Sequence, residues 1–361
     1  MYLPLQFAQN LALPENNTNQ LVQACRKALD SGSTDEILGF MYRNHFLDAN
    51  DNVPESLRWF NDFCQKYKRQ ILSSLAGYTE EEINRILQSR TLRQACIADL
   101  ICPYLMVNSW GWSKQVYCFD PDMELALTDT EKIVIDPSIL ERLPYKGFFL
   151  EFSPDGIFSS NCFGTFVKVI QTGDGYYGLI FIRLREDLTY HVGNCFLEAD
   201  SDAIVINRNI DCPAQGEVAV DWEEFSMFAM NAILYLCAVN SQIEEDPITK
   251  KTYRPYDRPK NKFSEIRKWD VGVRYGNEVR PIRRKMAAGT AGTKETGGTE
   301  NSASRQHRSP RAHMRRAHWH YYRIGRGRAE IVLKWIEPVF VGSGPLPAVK
   351  HHVENPLQKK N

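Results

Sequence analysis

The chain has 361 residues, 43% of them hydrophobic and 24% charged, enough to bury a sizeable core in about two or three domains; a disordered polymer is excluded. Met1 to Pro14 has no basic region and no continuous apolar run, because Pro4, Gln6, Gln9 and Asn10 interrupt it, so no signal peptide is expected. The most apolar run, Phe225 to Val239, carries Ser226 and Asn231 and falls short of the roughly 20 residues that span a bilayer, so no membrane partner is expected either.

Nine cysteines are scattered through the chain without a C-x-x-C pair, and none lies in the histidine-rich C-terminal end. That pattern points away from a disulfide framework and from a Cys-based zinc site, and toward a reducing compartment, most simply the cytoplasm. The formal net charge is zero, but it is unevenly divided. From Lys250 to Lys350 there are 24 Lys and Arg against 8 Asp and Glu, leaving 20 against 36 for the rest. Such a basic stretch is an electrostatic footprint for a polyanion, since Lys and Arg release counterions from phosphates. The alternative is neutralisation of the acidic body by the basic end.

The first hundred residues read as helical. Leu21, Ala24, Cys25 and Ala28 recur at helical spacing before the stop at Gly32. Pro54 opens a longer helix in which Leu57, Phe60, Cys64, Tyr67 and Ile71 share a face, ending at Gly77. Thr79-x-x-Glu82 is a capping box. A further helix from about Thr91 is expected to end before Pro103.

From Lys114 the pattern becomes alternating, β-branched and aromatic. Asp120-Pro121 and Asp136-Pro137 each predict a capped short helix with proline at its first position. Gly147 to Phe152, Thr165 to Gln171, Tyr177 to Arg185, Thr189 to Leu197 and Ala203 to Ile206 predict an antiparallel meander, with Gly173-Asp174-Gly175 as a hairpin turn. Asp221-x-x-Glu224 caps a helix from Trp222 to Asn240 that is apolar all round and should lie buried on the sheet. Tyr253 to Lys262 predicts an extended connection, and the Gly, Thr and Ala of 287–313 a flexible tether.

Pro310 to Gly342 carries the densest chemistry. If Arg316 to Ile324 is a strand, its period of two places His318, His320 and Tyr322 on one face and Trp319, Tyr321 and Arg323 on the other. Gly325-Arg326-Gly327 makes the turn, and Ile331 to Ile336 return. A lone hairpin is marginal, so packing on the main body through Trp335 and Phe340 is expected.

Three functional readings fit. As an RNA-binding surface, Arg311, Arg315, Arg316 and Arg323 meet phosphates while Trp319, Tyr321, Tyr322 and the histidines His313, His318 and His320 offer flat faces for bases. As a metal-free ribonuclease, His318 and His320 supply acid and base, with Arg316 steadying charge on phosphate. As a metal site, His318 and His320 are two ligands with His313 a third. Against all three stands plain packing, with the aromatics as core and the arginines solvated. No nucleotide-binding glycine loop or G-x-S-x-G is present, and no small-molecule cofactor or metal is expected.

At these residues the chain resembles a known family. Pro310-Arg311-x-His313-x-Arg315-Arg316-x-His318-Trp319-His320, then Gly325, then Trp335-x-x-Pro338-x-Phe340-Val341, is similar to the C-terminal signature of type V anti-CRISPR proteins of phages and plasmids that lower the mRNA of the type V-A effector nuclease. Val271-Gly272-x-Arg274-x-Gly276-x-Glu278-Val279-Arg280, Asn231 to Asn240, and Leu143-Pro144 extend the likeness upstream. The resemblance implies counter-defence during translation. The nascent effector polypeptide and RNA or the ribosome would be the partners, and loss of the message the outcome.

The expected architecture is α+β: a helical region over 1–110, an α+β core over 111–245 with a central antiparallel sheet and a buried helix, a basic connection over 246–285, a flexible linker over 286–309, a β-hairpin module over 310–345 and a tail over 346–361.

Overall fold

The computed structural model describes residues 2–11, 19–43, 53–131, 136–158, 162–171, 177–197, 204–207, 222–245, 266–290 and 313–341. Six helices come first: α1 (Leu3–Asn10), α2 (Gln20–Asp30), α3 (Thr34–Arg43), α4 (Glu55–Ala76), α5 (Glu80–Gln88) and α6 (Arg90–Ser113). The local signals act as expected at several ends. Gly77 closes α4 in the left-handed conformation, and Thr79 and Glu82 form the reciprocal capping box of α5. The predicted stop before Pro103 is overturned, because α6 runs through it. Proline costs a helix about 3 kcal/mol, but the turns after it bury Leu105, Met106, Val107 and Trp110, whose removal from water outweighs the lost hydrogen bond.

Twelve strands and three further α-helices follow among the described residues: β1 (Gln115–Phe119), α7 (Pro121–Thr128), β2 (Gly147–Glu151), β3 (Gly164–Gln171), β4 (Tyr177–Leu184), β5 (Tyr190–Leu197), β6 (Ile204–Asn207), α8 (Trp222–Cys237), β7 (Ile243–Glu245), β8 (Arg267–Val271), α9 (Val273–Thr290), β9 (His313–Arg315), β10 (His318–Ile324), β11 (Glu330–Ile336) and β12 (Val339–Val341). A 3-10 turn at Pro137–Arg142 is capped by Asp136, as Asp120 caps α7. The predicted turn at 173–175, the cap at Asp221 and the extended connection over 253–262 lie outside the described residues.

The main sheet has eight strands in the order β6-β5-β4-β3-β2-β1-β8-β7. The meander from β2 to β6 is antiparallel as expected, but the sheet as a whole is mixed. β1 runs parallel to both β2 and β8. The correction has a simple cause: the chain leaves β1 through α7 and a 3-10 turn, a crossover long enough to re-enter in the same direction.

Both faces are covered, which is why the central strands are apolar along nearly their whole length. Phe149, Phe166, Ile170, Ile180 and Ile182 point into the core shared with α1 to α6. Phe148, Leu150, Val167, Val169, Leu179 and Phe181 point into the core built on α8. Lys168, on the helical face, is neutralised by Asp35 of α3 at 2.8 Å.

The expected basic connection is not one. Where described, it forms β8, which joins the sheet beside β1, and α9, which packs on α7. Residues 286–290 of the expected linker continue α9, and 291–312 lie outside the described residues. Two glycines make the α7–α9 joint possible. Gly272 adopts φ +74° with Met123 so near that a Cβ would lie 2.6 Å from its methyl, and at Gly276 a Cβ would lie 2.1 Å from Asp120 Oδ1. Arg280 then reaches Asp120 and Asp122, while Arg283 donates to Asp122 at 2.5 Å.

Candidate nucleic-acid interface

β10 and β11 pair antiparallel from His318 opposite Ile336 to Ile324 opposite Glu330. That register puts Trp319 opposite Trp335 and Tyr321 opposite Leu333 on the inner side, and His320 opposite Lys334 and Tyr322 opposite Val332 on the outer side. β9 and β12 pair alongside, with His313 opposite Val341.

The inner side belongs to the protein core. Ala317, Trp319, Leu333 and Trp335 are buried in the same cluster as α8. Trp319 Nε1 donates to Asn231 Oδ1 at 2.9 Å, and the Asn231 amide donates in turn to Leu127 O and Thr130 O. Trp335 Nε1 donates to Thr130 Oγ1 at 3.2 Å, and its ring stands edge-on to Tyr235 and Tyr275. Asn240 completes the lock, accepting from Trp335 N and donating to Trp335 O. Val239 N donates to Leu333 O, Asp136 N to Tyr321 Oη, and Arg142 to Glu330 and Ile331 O. A polar group left unpaired in such a place costs about 1–3 kcal/mol, so these bonds fix one docking geometry.

Trp319 is therefore corrected as a base-stacking candidate: at 7% exposure it is a core residue. Trp335 packs inward as expected, whereas the side chain of Phe340 is outside the described residues, as are Arg311 and the side chain of His313. The hairpin, expected as a module over 310–345 that packs on the body, does so intimately, because its inner side completes the body's own core.

The outer side is different. Arg315, Arg316, His318, His320, Arg326 and Arg328 are all exposed, and Tyr322 is 38% exposed, whereas Arg323, opposite Ile331, is exposed at the far end of the side that carries Trp319. His320 and Tyr322 are in ring contact, centroids 4.3 Å apart and planes tilted by 42°. Lys334 Nζ lies 4.9 Å from the Tyr322 ring centroid. His318 Nδ1 is 3.5 Å from Arg316 O. The structure thus brings Arg316, His318, His320 and Tyr322 into one row.

Lys334, Arg326 and Arg328 were not singled out by sequence. Lys334 was recoverable, because fixing the turn at Gly325-Arg326-Gly327 fixes the register that sets it against His320. Part of the basic excess is neutralised internally, through Lys268 with Glu151 and Arg280 and Arg283 with α7. Among the described residues no ion pair engages Arg315, Arg316, Arg323, Arg326 or Arg328. No group of three or more His, Cys, Asp and Glu suited to a metal ion occurs among the described residues.

Residues 117–343, from β1 to just beyond β12, match the AcrVA2-like family model, described as the anti-CRISPR type V subtype A2 family. The chain belongs to that family. The match takes in the sheet, α7 to α9 and the hairpin, and leaves out the helical layer before residue 117. Among solved structures, the chain is similar to one titled "Crystal structure of AcrVA2", at 16% identity and a TM-score of 0.42, over 88% of this chain and 97% of that one. No curated protein matches. Membership supports an anti-CRISPR role directed at a type V-A system.

Proposed function

We propose that this anti-CRISPR protein, carried by a mobile genetic element and acting in the cytoplasm, lowers expression of a type V-A effector nuclease during translation. In this reading it recognises the nascent effector chain and promotes loss of the message, with RNA or the ribosome contacted by the outer side of the hairpin. The observation that supports the RNA side is the one row of exposed Arg, His and Tyr on a hairpin whose other side is locked into the body. Arg315, Arg316, Arg326 and Arg328, exposed and in no ion pair among the described residues, are the residue type that phosphate contacts use, and they need no small-molecule cofactor.

Co-expression with the effector tests the proposal. The effector message and protein should both fall, and an Arg315→Ala/Arg316→Ala variant should spare them; unchanged message and protein with the intact chain would remove the idea. A second reading, that the chain itself is a ribonuclease, is favoured by one observation: His318 and His320 share one exposed face of β10, with Arg316 exposed two residues before His318. Purified protein that leaves RNA intact, with and without divalent metal, would sink it.

A further inference from the structure

Side chains on one face of a strand recur about every 6.6 Å along it, and stacked bases are roughly 3.4 Å thick, so two rings at alternate strand positions can hold one flat base between them. On the outer side of β10 the intervals are not alike. Between His320 and Tyr322 the rings have closed on each other at 4.3 Å. Between His318 and His320 no ring contact is made, and both residues are exposed. Tyr322 thus props His320 from behind, while Lys334 sits against Tyr322 from the neighbouring strand. Arg316 lies two residues before His318 and Arg326 two residues after Ile324, so cations flank the row at both ends, all of them exposed.

We propose that the interval between His318 and His320 is a binding slot for one unpaired base of single-stranded RNA, backed by Tyr322 and Lys334, with Arg316 and Arg326 holding the flanking phosphates. The slot rests on the reading that this face contacts RNA. It goes beyond that reading by fixing the ligand as unpaired and the recognition as stacking. A duplex does not fit, because its bases are already stacked on one another and present only backbone and groove edges. β10 itself, from His318 to Ile324, rises about 20 Å, room for a few extended nucleotides, the lower end of what single-strand grooves hold. Because stacking uses the ring face common to all bases, the slot tolerates sequence, as suits a protein that meets a message at no fixed position.

The test uses the purified full chain and an RNA of about 12 nucleotides carrying one 2-aminopurine, alone and annealed to its complement. The single strand should bind with a change in 2-aminopurine fluorescence, and the duplex markedly more weakly. His320→Ala and Tyr322→Ala should each weaken the single strand roughly 5- to 150-fold and remove the fluorescence change, with the salt slope and melting temperature of the protein unaltered. Arg316→Ala should instead reduce the salt slope by about one and keep the fluorescence change. Wild-type affinity and signal in His320→Ala and Tyr322→Ala, equal binding of duplex, or no binding of RNA would each overturn the slot. The two levels separate cleanly: RNA binding through His320 together with unaltered message loss in His320→Ala leaves the slot standing and removes RNA contact from the proposed function. Message loss by a chain that binds no RNA removes the slot and leaves the proposed function standing with the ribosome, not RNA, as the partner of this face.

Discussion

Glu124 lies in the first turn of α7 yet is fully buried, with Oε1 accepting from Ser153 N at 2.6 Å. Burial pushes its carboxyl up to about 8; the Ser153 N–H opposes that, the Asp120 charge adds to it, and the Ile157 N–H opposes it again. The folded chain therefore keeps a proton that the unfolded chain releases above the ordinary value of 4.5. Stability should fall as pH rises from that value to about 8 and level off beyond. Glu124→Gln retains an acceptor for Ser153 and cannot ionise. Its melting temperature relative to wild type should climb across this window, by an amount equivalent to a few kcal/mol; parallel profiles for the two proteins would refute the assignment. Nothing in the sequence marked Glu124, since an acidic residue in the first helical turn ordinarily faces water and complements the helix dipole.

At the scale of elements, docking of the hairpin rests on two tryptophans whose rings and N–H groups are both satisfied from α8, α9 and Thr130 just past the end of α7. Trp335→Ala removes a side chain that is 1% exposed and leaves Thr130 Oγ1 without its donor. It should cost about 3–5 kcal/mol in denaturant unfolding, far more than Tyr322→Ala on the outer side. Equal costs for the two would mean that the hairpin is not part of the core. Much of this was legible in sequence, and the limits are physical. Periodicity and turn glycines located the strands of the meander and the hairpin to within a few residues, because those signals are local. The inward role of Trp319 was not legible, since alternation says which residues share a face but not which face meets the body. β8 and α9 were missed because their cations read as a connection, and their acceptors, Glu151, Asp120 and Asp122, lie more than a hundred residues earlier. The G-x-R-x-G-x-E-V-R segment reads by itself as a motif; in the fold it is the close joint between α9 and α7.

On the scale of the whole molecule, a mixed sheet is covered on one face by helices that lie outside the family match and on the other by α7 to α9 and the hairpin, which lie within it. The uneven charge has a corresponding division. Lys268, Arg280 and Arg283 neutralise acidic residues of the body, whereas the hairpin arginines remain exposed. A partner that binds the outer side consequently engages a surface rigidly joined to the core, and no tether is needed to present it. The central claim is that this surface acts where the effector is being made. Ribosome co-sedimentation from cells expressing the effector tests it most directly. The intact chain should travel with the ribosomes that carry effector message, and a chain bearing Arg315→Ala, Arg316→Ala and Tyr322→Ala should stay in the light fractions while remaining folded. The account is contradicted if the intact chain stays in the light fractions while the effector message is still lost.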